Sequence, residues 1–170
     1  PMTKPMSKPL LPVYDKPMIY YPLAILMQAG ISDVMVIVPP NETDTFRALL
    51  GDGSQFGISI CYAEQPVARG IADALLIGRE FVGDDSVCLV LGDNIFHSDT
   101  LAEVLRKGAQ QQNGATVFGY WVENPRPFGV VEFDEDGRAI SIEEKPRHPK
   151  SNYIIPGIYF YDNQAMEIAA

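Results

Sequence analysis

The sequence predicts an α/β fold, a doubly wound and mostly parallel sheet with a β-rich extension after residue 115. Three observations predict it. Up to residue 112, short apolar runs alternate with segments whose apolar residues recur at helical spacing. From residue 115 onward, four strand-like runs follow one another with no helical pattern between them. And the apolar run 87–91 stops on Gly92-Asp93-Asn94, polar chemistry at the end of a buried strand.

Taken in order, residues 18–29 carry Ile19, Leu23, Leu26 and Met27 on one helical face and close on Gly30. Pro22 lies inside that pattern, which predicts a kink or a late start. Residues 34–38 form a short buried strand ended by Pro39-Pro40, and residues 43–50 a helix. Residues 58–62 are a strand, and residues 71–81 a helix with Ala72, Leu75, Leu76 and Arg79 at helical spacing. Residues 87–91 are a strand, and 100–112 a helix that starts after Ser98-Asp99, both good capping residues. Residues 115–122, 129–134, 139–144 and 153–161 are strands, with a turn at Asp136-Gly137. No internal repeat or low-complexity linker divides the chain, so residues 1–170 are expected to form one domain.

A length of 170 residues suffices for one sizeable core. Hydrophobic residues make up 46% and charged residues 21%, ordinary values for a globular chain. No run approaches the roughly 18 apolar residues of a membrane span, so no membrane partner is expected. The proline-rich, polar start does not read as a signal peptide. Cys61 and Cys88 sit in strand-like runs and are expected as buried thiols of a cytoplasmic protein. The net charge of −9 disfavours nucleic acid, yet a few placed cations suffice for a small anion. His97 and His148 lack metal-ligand spacing, which argues against zinc. No G-x-G-x-x-G follows a strand, which argues against a dinucleotide-binding dehydrogenase.

Asp93 draws the functional reading. In open α/β sheets ligands bind outside the carboxyl ends of the strands. A carboxylate there can hold a hard cation such as Mg²⁺ through oxygen. Position alone leaves a turn or capping aspartate equally open.

Eight stretches shift that balance: SKPLLPVYDKPMIYYPL at 7–23, LLGDGSQFGI at 49–58, AEQP at 63–66, GIADA at 70–74, LVLGDNIF at 89–96, FGVVEFD at 128–134, EEKP at 143–146 and SNYIIPGIYFYD at 151–162. In this order the set resembles the bacterial glucose-1-phosphate thymidylyltransferases, sugar nucleotidyltransferases that make dTDP-glucose and pyrophosphate from dTTP and glucose 1-phosphate. The resemblance implies a Rossmann-like nucleotidyltransferase fold. It also implies an in-line displacement at the α-phosphorus, with no covalent enzyme intermediate. Lys8 matches the lysine that contacts the nucleotide phosphates and the leaving pyrophosphate. Gln65 matches the residue that reads the thymine edge, and Gly70 a glycine beside the nucleoside. Asp93 matches the metal-binding aspartate, implying Mg²⁺. Gly129 matches a glycine whose backbone meets the glucose ring. Glu144 and Lys145 match the pair that binds the sugar hydroxyls and the sugar phosphate. Ile155 and Gly157 match backbone lining the sugar pocket. Lys8, Asp93 and Lys145 are thereby the expected catalytic residues. Neighbours in a strand point to opposite faces, so Glu144 and Lys145 can serve one ligand only if the strand ends there, and Pro146 favours that. A homotetramer, feedback by a dTDP-sugar and a place in deoxysugar (dTDP-rhamnose) and polysaccharide synthesis are also implied.

The sequence departs from the family pattern in places. The LAGGxGTRL loop that precedes SKxLLP in the family, and a C-terminal region with a second metal-binding aspartate, have no counterpart in these residues. The chain is therefore expected to be an internal part of the enzyme, inactive alone, with strand edges exposed. Pro9 replaces a frequent glutamine, and Ala68 stands where a proline is frequent. A uridylyltransferase and a non-catalytic sugar-nucleotide-binding module remain the alternatives.

Overall fold

The computed structural model describes residues 6–67, 69–110 and 112–170; Ala68, one of the departures noted above, lies outside them. A 3₁₀ turn, Lys8–Leu10, leads into a small hairpin of β1 (Pro12–Val13) and β2 (Lys16–Pro17). Then come α1 (Tyr20–Gln28), β3 (Asp33–Val38), α2 (Thr43–Leu50), a second 3₁₀ turn (Ser54–Phe56) and β4 (Ser59–Glu64). The alternation continues with α3 (Ile71–Ile77), α4 (Arg79–Val82), β5 (Val87–Val90) and α5 (Leu101–Ala109). The β-rich part is β6 (Ala115–Val117), β7 (Tyr120–Trp121), β8 (Gly129–Phe133), β9 (Ala139–Glu144), β10 (Tyr153–Ile154) and β11 (Ile158–Tyr161), closed by α6 (Ala165–Ile168).

Helix α1 starts late, at Tyr20, which leaves Pro22 in its first turn, where a missing N–H breaks no intrahelical bond. Its apolar residues serve two cores at once. Leu23 and Leu26 join Val34, Val36 and Val38 of β3, Phe46 and Leu50 of α2 and Ile60 of β4. Ile25 and the following Ala29 join Leu105 of α5 and Ile158 and Phe160 of β11. Each such large side chain contributes about 1.5–3 kcal/mol by leaving water. Met27, assigned to the buried face by spacing, is exposed instead.

The α/β alternation and the β-rich extension are both present. The pairing differs in one respect from a mostly parallel sheet. Among the described residues β3–β4 is the parallel pair, in register from Asp33↔Ser59 to Val38↔Glu64. Strand β11 enters antiparallel between β5 and β6. It arrives there from a separate antiparallel sheet of order β7-β10-β8-β9, so its direction is set by the returning chain.

Two long strand-like runs are in fact broken, and each contributes to both sheets. Residues 115–122 split into β6 and β7, because Gly119 lets Phe133 approach to 2.7 Å from where a Cβ would stand. Residues 153–161 split into β10 and β11 at Pro156, whose carbonyl accepts from the Ile158 N–H at 2.7 Å. The helix over 71–81 also breaks, at Gly78. Its buried residues are Asp73 and Leu75, while Ala72, Leu76 and Arg79 face solvent. Helix α5 is capped at Thr100 without a side-chain bond to the helix, and the Ser98 hydroxyl instead accepts from the Thr100 N–H.

Candidate functional site

A cleft of about 1200 Å³ is lined by Val34 and Ile37 of β3, by β5 with Leu91 and Gly92 beyond it, and by Gln65 and Gly70. Gln65 reaches this cleft, and Asp93 follows its lining residue Gly92, because of where the strands end. β4 ends at Glu64, so Gln65 follows directly, and its N–H donates to Val38 O at the end of β3. β5 ends at Val90, which places Asp93 three residues beyond.

Lys8 Nζ donates to Asp93 Oδ2 at 3.2 Å. The two motifs meet through packing as well, since a Cβ on Gly92 would lie 3.2 Å from Pro9 Cγ. Both side chains are substantially exposed, and such a pair contributes at most about 1 kcal/mol. Each of the two charges is therefore easily released to another partner.

Beyond β4, Gln65 Nε2 donates to Asp73 Oδ2 at 2.8 Å and, at 3.4 Å, to Gly70 O. Gly70 precedes α3 with φ +101° and ψ −179°, a conformation open to glycine and strained for other residues. Asp73 is buried, 5% exposed, and its second oxygen takes Arg69 at 2.8 Å. The hydrogen bond from Gln65 holds the Asp73 carboxyl below its ordinary value of 3.8, with Arg69 adding to the effect. Neither Asp73 nor Arg69 was among the residues read from the sequence. The available signal was a charged side chain, Asp73, among the apolar residues of IADALL, four residues after an arginine.

Around the start of β8 and the end of β9 the structure brings together Gly129, Glu144, Lys145 and Ile155. Gly129 pairs with Glu144, and a Cβ on Gly129 would stand 3.2 Å from Glu144 Oε2. Gly129 O accepts from the Ile155 N–H at 2.9 Å. β9 ends at Glu144, and Lys145 turns into the left-handed region at φ +46°. That turn lets neighbouring side chains meet, with Lys145 Nζ 3.3 Å from Glu144 Oε1. Gly157 belongs with the Asp93 loop. Its O accepts from the Leu91 N–H at 2.8 Å, and a Cβ there would fall 2.1 Å from Asn94 Nδ2. No hydrogen bond or ion pair among the described residues joins the Gln65–Gly70 group to the Gly129–Lys145 group.

This architecture, with polar loops gathered beyond strand ends, is that of a nucleotidyl transferase. A family model described as Nucleotidyl transferase matches residues 1–170, and the chain belongs to that family. Among its relatives, the chain is 60% identical over 169 residues to a glucose-1-phosphate thymidylyltransferase of Neisseria meningitidis serogroup A, covering 99% of this chain and 59% of the relative. It is 57% identical over 170 residues to the enzyme of that name from Xanthomonas campestris pv. campestris, covering 100% and 58%. Its fold matches, with a TM-score of 0.90 and 41% identity, a Bacillus anthracis structure described as a glucose-1-phosphate thymidylyltransferase in complex with a sucrose, over 98% of this chain and 67% of that one. The chain thus spans somewhat over half the length of the curated relatives it matches.

Proposed function

We propose that the full-length protein transfers a thymidylyl group from dTTP to glucose 1-phosphate, giving dTDP-glucose and pyrophosphate. The observation that carries the proposal is the Lys8–Asp93 pair beyond β5, in a chain 60% identical to a relative of that name. A phosphate oxygen of the sugar attacks the α-phosphorus. A new P–O bond forms as the bond to the β-phosphate breaks, and the electron pair leaves with pyrophosphate. Lys8, a compact positive charge, binds and orients the triphosphate and the leaving pyrophosphate. Lys145 holds the phosphate of glucose 1-phosphate against its mutual repulsion with the nucleotide. Glu144 accepts from sugar hydroxyls. The backbone at Gly129, Ile155 and Gly157 shapes the sugar pocket, and Gln65 and Gly70 bind the base.

Asp93 is the residue that would hold Mg²⁺. Among the described residues no group of three or more His, Cys, Asp or Glu gathers, so no all-protein cage exists there. Mg²⁺ typically binds through one or two carboxylates plus substrate phosphates, and Asp93 fits that kind of site. When bound, the ion neutralises charge developing on the transferring phosphoryl group.

Asp93→Asn in the full-length protein keeps shape and removes charge. Pyrophosphate release from dTTP and glucose 1-phosphate is expected to fall at least about a hundredfold. Wild-type turnover in the variant would overturn the assignment. Gln65 can meet the N3–H edge that uracil shares with thymine, so a uridylyltransferase is the second reading, separated by comparing UTP with dTTP. The same resemblance supports a homo-oligomer, a tetramer, in the cytoplasm.

A further inference from the structure

The hydrogen bonding behind Gln65 has a chemical direction. A side-chain amide can offer either an acceptor or a donor to a ligand, and rotation by 180° exchanges them. Here that choice is made by Asp73. An ionised carboxylate only accepts, so the atom of Gln65 that lies 2.8 Å from Asp73 Oδ2 is Nε2. The second hydrogen of Nε2 is directed to Gly70 O, another pure acceptor, at 3.4 Å. Both amide hydrogens are thus committed inside the protein. Oε1 remains, on a side chain that lines the cleft, and none of the bonds to Gln65 among the described residues is made to it. Asp73 itself is well held. It is 5% exposed, and Arg69 fixes its other oxygen at 2.8 Å. The lowered protonation of Asp73 fits a permanent acceptor.

We propose that Asp73 is a specificity-determining positioning residue, which locks the Gln65 amide so that it offers an acceptor to the nucleotide base. A pyrimidine carrying a hydrogen on N3, as thymine and uracil do, is then accepted. Cytosine, whose N3 is itself an acceptor, meets acceptor against acceptor and is rejected. Arg69 serves the same end by neutralising and fixing Asp73. The inference rests on the nucleotide reading of this cleft, and it locates the discrimination one residue behind the side chain that touches the base.

The test uses the full-length protein and binding alone. Wild type, Asp73→Leu and Asp73→Asn are titrated by calorimetry with dTTP, dCTP and glucose 1-phosphate in magnesium-containing buffer. Wild type is expected to prefer dTTP over dCTP by about tenfold or more, the size of one correct against one frustrated hydrogen bond. In both variants either amide orientation becomes available, so the preference shrinks toward equality while glucose 1-phosphate affinity is unchanged. Thermal melting checks the fold, and if the leucine variant does not melt cooperatively the asparagine variant decides. A wild type without preference, or a folded variant that retains it, overturns the inference. Selective dTTP binding in a protein that releases no pyrophosphate would instead remove the enzymatic reading and leave this inference standing.

Discussion

Asp93 and Asp73 have opposite exposures, the first open to solvent beside Lys8, the second closed off beneath Gln65. The difference explains what the sequence could disclose. Asp93 follows an uncharged apolar run, and a carboxylate at a strand end is conspicuous in one dimension. Asp73 stands out only weakly in one dimension, as a charge among apolar neighbours, because its partner Gln65 lies eight residues away in a different element. The cysteines are free thiols, but each is half-buried rather than buried as expected. Burial pushes the Cys88 thiol up to about 12, and burial raises Cys61 as well. At pH 8 the Cys88 thiolate fraction is then on the order of 10⁻⁴. Native protein is expected to leave Cys88 unmodified by iodoacetamide at pH 8 over a time that fully alkylates the urea-unfolded chain. Peptide mass mapping reads the outcome, and rapid native alkylation would contradict the upward push on the Cys88 thiol.

At the scale of elements, strand and helix existence was legible and their endings less so. Hydrophobic spacing located β3, α2, β4 and β5 to within a residue or two. It failed at residues 115–122, where Gly119 lets Phe133 approach, a cause absent from local pattern, and at 153–161, where Pro156 turns the chain between two sheets. In α3 Leu75, one of the residues at helical spacing, is buried, but the spacing did not single out Asp73, since apolar periodicity cannot anticipate a buried aspartate. Gly157 shows the same physics in the site. A Cβ there would fall 2.5 Å from Leu91 Cδ1 and 2.1 Å from Asn94 Nδ2. Gly157→Ala must therefore shift the Leu91 and Asn94 side chains that flank Asp93. The expected cost is about 1–3 kcal/mol of stability, as for other overpacked sites. Urea unfolding of the full-length variant measures it, and an unchanged midpoint would mean that the loop yields freely.

For the whole molecule, the order of elements identified the class, while the assembly of strands into sheets required the structure. β3 is paired through β4 and β5 through β11, and both line the 1200 Å³ cleft with their other edges unpaired among the described residues. Unpaired edges beside apolar surface recruit further strands. A polypeptide of these 170 residues is expected to self-associate at micromolar concentration, and a sharp monomer boundary in sedimentation velocity would refute this. The segment 155–157 bears on the molecule differently. Ile155 is bonded to Gly129 in one sheet, and Gly157 to Leu91 beside the other. Pro156 between them has its φ fixed by its ring. In mechanical terms this is a short, stiff coupling rod between the β7-β10-β8-β9 sheet and the Asp93 loop. A rocking of one sheet has almost no slack to take up there, so it is delivered to the loop as displacement of the carboxylate.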